Sequence, residues 1–175
     1  MIQANAANVA FLRSVPVFGG LEGDSLAHVV HTLDEREFRK GEYVFNEGEL
    51  GRTMYVVREG EVEVLRRNEH GIRVPIVRLG PGECFGEMAL VELQPRSGTV
   101  VATQKTVCYS LTNLDLYNLY REDNYAYVIV LQNICRMMSR RLRKADSRIV
   151  QFLSGLSKKK SRRAPARRAT GKKKR

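Results

Sequence analysis

Cysteine is scarce and poorly placed for chemistry. The 175-residue chain has three, Cys84, Cys108 and Cys135, an odd number without close spacing. That pattern argues against a disulfide framework and against a zinc ribbon, and makes reduced thiols in a cytoplasmic setting the expectation. Long apolar runs are also missing. The longest, Tyr125 to Leu131, is far too short to span a bilayer, and the first residues lack the basic-then-apolar order of a signal peptide. His28 and His31 share a helical spacing, but no cysteine or third histidine accompanies them, so no metal site is expected; His70 reads as a turn residue. Acid is lacking altogether from Ser157 to Arg175, a stretch that holds eleven basic residues.

That last absence organises the charge. The chain carries 30 Lys+Arg and 19 Asp+Glu, a net charge of +11, and all of the excess lies after residue 156. Residues 1–156 balance at 19 of each sign, and the first 134 are net acidic, with 13 basic and 18 acidic residues. The pI of 9.9 therefore describes the end of the chain and not its body. The length fits one medium domain plus an appendage, which excludes a kinase, a Rossmann enzyme or a barrel enzyme.

Four stretches follow from the patterning. Val9 to Phe38 reads as a helical lead-in, with Leu26, Val29, Val30 and Leu33 at helical spacing after Asp24-Ser25 as N-cap. Gly41 to Gly98 holds nine of the fourteen glycines, which punctuate short runs of period two such as Met54 and Val56, then Val62 and Val64. An antiparallel roll or barrel is predicted there, with two further strands from Thr99 to Leu111. After Thr112 the pattern turns helical, around Leu114 to Tyr120 and then in one long segment from about Tyr125. The predicted organisation is an α+β fold: a jelly-roll-like β-roll with flanking helices over 1–124, a long C-terminal helix over 125–156, and a disordered basic tail over 157–175, whose composition cannot bury a core.

Along the long helix, Leu131, Cys135, Met138, Leu142, Ala145, Ile149, Phe152 and Leu156 alternate spacings of four and three, an unbroken heptad seam. Any amphipathic helix packed on a barrel has an apolar stripe. This one runs longer than a small barrel could cover, and Arg136, Arg140, Arg141, Arg143 and Arg148 crowd its other faces, which points to a parallel homodimer through residues 131–156.

The most informative segment is Gly80-Pro81-Gly82-Glu83-Cys84-Phe85-Gly86-Glu87-Met88-Ala89-Leu90, followed by Pro95-Arg96-Ser97-Gly98-Thr99-Val100. A glycine turn opening a one-turn helix is expected to aim the backbone N–H groups of Met88, Ala89 and Leu90 at an anion, and Arg96 can return to fork onto a phosphate. Glu87 beside that anion needs a neutral donor, and a sugar hydroxyl is the natural one. Phosphate, sugar and an apolar barrel wall together describe a nucleotide. Singly, Glu87 and Arg96 could be a surface ion pair, Gly86 a plain turn and Ser97 a strand edge; order and spacing together argue otherwise.

On these residues the chain, from about Phe11 to Leu156, resembles the cyclic-nucleotide-binding domain family found in catabolite activators, cAMP-dependent protein kinase regulatory subunits and cyclic-nucleotide-gated channels. Phe85 to Leu90 and Pro95 to Val100 match the two halves of the family's phosphate-binding cassette, and Gly41, Phe45, Glu47-Gly48, Tyr55-Val56-Val57 and Gly60 resemble its roll. The resemblance implies that Arg96 pairs with the cyclic phosphate, that Glu87 holds the ribose 2′-hydroxyl, and that Gly86, Met88, Ala89 and Ser97 add backbone or hydroxyl contacts. Arg52 departs from the family, which usually has a small polar or acidic residue there.

The base is left open between cAMP and cGMP: Ser97 supplies a hydroxyl, and alignment of the long helix puts Asp146 near the base, where it could accept from guanine or from adenine. No catalytic set is spaced for reaction, so a non-enzymatic cyclic-nucleotide sensor is expected. Its output would run through the long helix, to a homodimer or an unidentified protein effector. The tail would meet DNA or RNA nonspecifically, or an anionic membrane surface. The alternative is a nonspecific DNA-binding, nucleoid-associated protein of the catabolite activator type. Only nineteen residues follow Leu156, so a helix-turn-helix module is not expected.

Overall fold

The computed structural model describes residues 2–92 and 94–163, with side chains as far as Gly155. Residues 164–175, most of the expected tail, lie outside the described residues. The chain divides into two units, Met1–Met137 and Met138–Arg175.

The first unit opens with α1 (Ala6–Ser14), capped by Asn5, whose side chain accepts from the Asn8 amide. A 3₁₀ turn, Pro16–Phe18, and α2 (Gly23–Thr32) follow. The predicted Asp24-Ser25 cap is displaced: Glu22 is the N-cap and both residues lie inside the first turn, where the Ser25 hydroxyl serves the Asp123 carboxylate instead. His28 is likewise more than a solvated residue, with Nε2 3.2 Å from the Glu122 carboxylate.

The helical lead-in stops earlier than the sequence suggests. Asp34–Phe38 is strand β1, three of its five residues exposed. Its charged sequence has no alternation to betray a strand; pairing with the distant Thr106–Thr112 segment makes it one. Then come β2 (Tyr43–Phe45), β3 (Thr53–Glu59), β4 (Val62–Arg67), β5 (Arg73–Leu79), β6 (Cys84–Phe85), the one-turn helix α3 (Met88–Val91), β7 (Thr99–Ala102) and β8 (Thr106–Thr112). They form two four-stranded antiparallel sheets, β1-β8-β3-β6 and β2-β7-β4-β5. The predicted α+β class with an antiparallel roll, N-terminal helices and a long last helix is the observed one.

Strands β3 and β8 are buried on both faces. In β3, Tyr55 and Val57 join the roll interior with Val62, Leu79, Phe85, Val100 and Cys108. The alternate residues Met54 and Val56 are buried on the opposite side, and Tyr109, cross-strand from Val56, meets the helices there. Its hydroxyl donates to Asn8 Oδ1 at 2.7 Å and accepts from Arg58 Nε at 3.1 Å, while its ring stands edge-on to Phe11. Burial pushes the Cys108 thiol up to about 12, so it serves as a small apolar side chain and not as a nucleophile.

Helix α4 (Asn113–Glu122) starts on a capping box between Thr112 and Asp115. Helix α5 (Asn124–Arg163) follows, with Asp123 accepting from the Ala126 amide. It continues past Leu156, where the sequence pattern placed the start of the tail. In the first unit α5 buries Ala126, Val130, Asn133 and Ile134. Asn133 Nδ2 donates to the carbonyls of Val17 at 3.1 Å and Gly19 at 2.8 Å, and its oxygen accepts from Arg136 at 2.9 Å, tying the helix to the 3₁₀ turn. In the second unit the seam residues Leu142, Ala145, Ile149 and Phe152 are exposed on the single chain. No described helix is long and apolar enough to cross a membrane.

Replacing Asn133 with Leu keeps the volume but strands the buried carbonyl of Val17 and the part-buried one of Gly19. The variant is expected to lose about 1–3 kcal/mol of unfolding free energy. A lowered urea midpoint at unchanged slope would show it, whereas an unchanged midpoint would mean the latch adds nothing.

Candidate functional site

The cassette is built where β6 leaves the roll and the chain must turn into α3. Gly86 makes that turn at φ +73, a conformation that side chains disfavour. Space forbids a side chain as well: a Cβ on Gly86 would fall 2.7 Å from Arg96 Nη1 and 2.9 Å from the Thr53 carbonyl oxygen. Glu87 follows as the N-cap of α3, buried and already engaged within the protein.

Two of the three amides expected to face an anion also bond within the turn. The Ala89 amide donates to the Gly86 carbonyl at 3.2 Å and the Leu90 amide to the Glu87 carbonyl at 3.0 Å. These are i→i−3 bonds of a single tight turn, so a ligand would share these two donors with the turn. Ala89 is buried, whereas Met88 is exposed.

Arg96 comes from the loop ahead of β7 and is itself buried, with 9% of its surface exposed. Two backbone bonds fix its position: the Arg96 amide donates to Glu49 O at 2.8 Å, and the Gly48 amide donates to Arg96 O at 2.9 Å. A bridge between Leu50 and Pro95 continues the pairing. The guanidinium lies with its carbon 3.9 Å from the centroid of the Phe45 ring, and Nη1 donates to the Gly86 carbonyl at 3.2 Å. Burial holds it below the usual arginine range, against the attraction of Tyr55, Glu49 and Glu87. A guanidinium is not deprotonated in proteins, so the buried group is a cation. A guanidinium has five N–H donors, of which the Gly86 carbonyl takes one, so the same head can also fork onto an anion.

Beneath it the roll interior is aromatic. Tyr55 stacks on Phe85 at 5.2 Å, and Phe45 lies within 6.2 Å of Tyr55 and 5.9 Å of Phe85. Burial pushes the Tyr55 phenol up, outweighing the nearby arginines Arg96 and Arg36. The Asn46–Glu49 turn that carries the strap to Arg96 is locked by its own carboxylate, which accepts from the Asn46 amide at 3.0 Å and from Asn46 Nδ2 at 2.8 Å; these bonds hold the Glu49 carboxyl below its usual range.

Among the residues singled out from the sequence, Gly86, Glu87, Met88, Ala89, Arg96 and Ser97 come together in the first unit; Ser97 Oγ lies 3.7 Å from Met88 Sδ and is exposed. Asp146 belongs to the second unit and is exposed on α5. Arg52 is exposed, and its carbonyl accepts from the Asn113 amide. Gly51 escaped the sequence reading, although it sits close beneath Arg96; a glycine three residues after Gly48 was the available signal. A surface recess lined by Glu37, Phe38, Arg39, Lys40, Glu42 and Lys105 contains none of the cassette residues. Among the described residues no group of three His, Cys, Asp or Glu side chains is placed to hold a metal.

Residues 35–123, which carry both cassette halves and the roll, match the cyclic nucleotide-binding domain. The chain belongs to that family. It is 32% identical over 139 residues to the cyclic AMP receptor protein of Thermus thermophilus, a match covering 77% of this chain and 61% of that protein. It is 36% identical over 96 residues to the cAMP-dependent protein kinase regulatory subunit of Mycosarcoma maydis, covering 55% of this chain and 18% of the subunit. The crystal structure of the Thermus thermophilus catabolite activator protein superposes with a TM-score of 0.71 at 32% identity, over 79% of this chain and 63% of that one. The chain thus spans under two thirds of the length of each of these relatives. Cyclic nucleotide-binding domains are in general regulatory and not catalytic.

Proposed function

We propose that this domain is a non-enzymatic sensor of a cyclic purine nucleotide, cAMP or cGMP. The observation that carries this reading is the buried guanidinium of Arg96, bonded to the neutral Gly86 carbonyl beside α3 inside the family's cassette. In this reading Arg96 forks onto the cyclic phosphate and Glu87 accepts from the ribose 2′-hydroxyl. Gly86, Met88 and Ala89 supply backbone contacts, the Ala89 amide sharing its hydrogen between ligand and turn. Ser97 acts on the base. Relatives named for cAMP and for cGMP both match this chain, so the base is left open between the two.

The signal leaves through α5. Its first turns pack in the same unit as the cassette, and a ligand that binds one packing of that helix more tightly shifts the population toward it. The exposed Leu142, Ile149 and Phe152 favour a homodimer along the 131–156 seam as the reader of that shift. The basic stretch 157–175, with eleven cations and no acid, favours a second output, nonspecific attachment to nucleic acid.

Arg96→Ala is expected to weaken cyclic-nucleotide binding by about 2–4 kcal/mol, roughly 30- to 1000-fold, because it removes a charge-assisted fork in a desolvated place. Glu87→Gln should cost less, since the amide oxygen still accepts one ribose hydrogen bond. Calorimetric titrations with cAMP and cGMP check both; parent-like binding by both variants would mean the pocket is elsewhere.

Met138→Asp combined with Leu142→Asp should leave a monomer, because each would bury a carboxylate in the seam. Light scattering at tens of micromolar decides, and a parent protein that is already monomeric would remove the seam from the account.

Truncation after Leu156 should leave nucleotide affinity unchanged and abolish any binding to duplex DNA. If about half of the eleven tail cations engage phosphates, the parent's log affinity should fall with log salt at a slope near −5, equally for two unrelated duplexes. Gel shifts that persist after truncation, or that prefer one duplex, would contradict the tail reading.

A further inference from the structure

The pairing of Phe45 with Gly51 around Arg96 is assigned no role by the cassette itself. Phe45 ends β2 and Gly51 stands two residues before β3, so both belong to the segment that the Gly48 and Glu49 backbone bonds strap to Arg96. The Phe45 ring presents its face to the guanidinium at 3.9 Å. Gly51 is buried against the same side chain: a methyl group there would fall 2.5 Å from Arg96 Cζ and 2.8 Å from Cδ. Gly51 is not forced to be glycine by its backbone, since it is absent from the positive-φ glycines. Close approach is therefore the constraint, and the atoms approached are those of the arginine head.

We propose that Phe45 and Gly51 are positioning residues for Arg96, two walls of a slot that fixes the plane of its guanidinium and so sets the affinity for a bound anion. The physical reason is geometric. A bidentate contact to a phosphate needs both N–H groups in one plane at one angle, and a long side chain left free must lose its rotamer freedom when the ligand arrives. A ring face attracts the flat cation and restricts it to a parallel layer. Bare backbone at Gly51 lets the head settle where any side chain would push it aside. The Gly86 carbonyl then holds one nitrogen, which fixes rotation within the plane. Aromatic packing inside the roll, Phe45 with Tyr55 and Phe85, keeps the ring itself from turning.

The inference rests on the reading that Arg96 takes the cyclic phosphate, and the test separates the two. Five proteins are titrated calorimetrically with cAMP and with cGMP: the parent, Arg96→Ala, Phe45→Leu, Phe45→Tyr and Gly51→Ala, each also melted. Leucine keeps the apolar bulk of Phe45 but has no π face, whereas tyrosine keeps the face. Phe45→Leu should weaken binding about 3- to 30-fold, the range of a cation–π contact between half-exposed and desolvated settings. Phe45→Tyr should stay within about twofold of the parent on the same grounds. Gly51→Ala should weaken binding about tenfold or more, since it displaces the fork as a whole. If Gly51→Ala melts early, the Phe45 pair still decides. Loss with Leu and recovery with Tyr, at similar melting temperatures, supports the slot. Parent-like binding by Phe45→Leu while Arg96→Ala loses affinity overturns the slot and spares the phosphate reading. Equal loss by Leu and Tyr also overturns it, since only packing would then matter. Parent-like binding by Arg96→Ala overturns both.

Discussion

A buried arginine is the constraint around which the rest of this domain is arranged. Taking a guanidinium out of water is costly, and it persists only where geometry supplies compensation. Here the compensation is local: the ring of Phe45, the carbonyl of Gly86, and the longer-range attraction of Glu49 and Glu87. Each depends on a different part of the chain being in register. Strand β2 must end at Phe45, the Asn46–Glu49 turn must close on its own carboxylate, and β6 must leave the roll through a left-handed glycine. The two sheets bring these three places together, and the arginine reports whether they succeeded.

The helices serve the same end from outside the roll. Because β3 and β8 are covered on both faces, the sheet cannot move without disturbing α1 and its neighbours through the Asn8–Tyr109–Arg58 network. The first turns of α5 are tied to the 3₁₀ turn by Asn133, a buried amide that donates to two of its carbonyl neighbours.

Much of this was legible in the sequence, and the reasons for the remainder are physical. The two cassette halves could be found because their chemistry is local: a glycine turn, an acid and an arginine at fixed spacing. The helices after Thr112 showed their period, and Thr112 and Asp115 cap α4 as residue types of that kind do. Strand β1 was hidden because Asp34 to Phe38 acquires its conformation only from β8. The α2 cap was misplaced because Asp24 and Ser25 are as well suited to a first turn as to an N-cap, and Asp123 claims Ser25. The amides of Ala89 and Leu90 looked available because spacing does not say that so short a helix closes on itself. Phe45 and Gly51 were visible as residues, but their meeting with Arg96 depends on a strap between loops far apart in sequence.

The central claim is that Arg96 is seated by the protein's own groups and takes a cyclic phosphate in that seat. Its side-chain Nε–H signal in nitrogen-15 NMR tests this most directly. Over the face of Phe45 the proton should be shifted upfield by the ring and protected from exchange, and adding cAMP or cGMP should move it downfield as an anionic oxygen becomes its neighbour. A signal that stays in place at saturating nucleotide, with other resonances moving, would contradict the account.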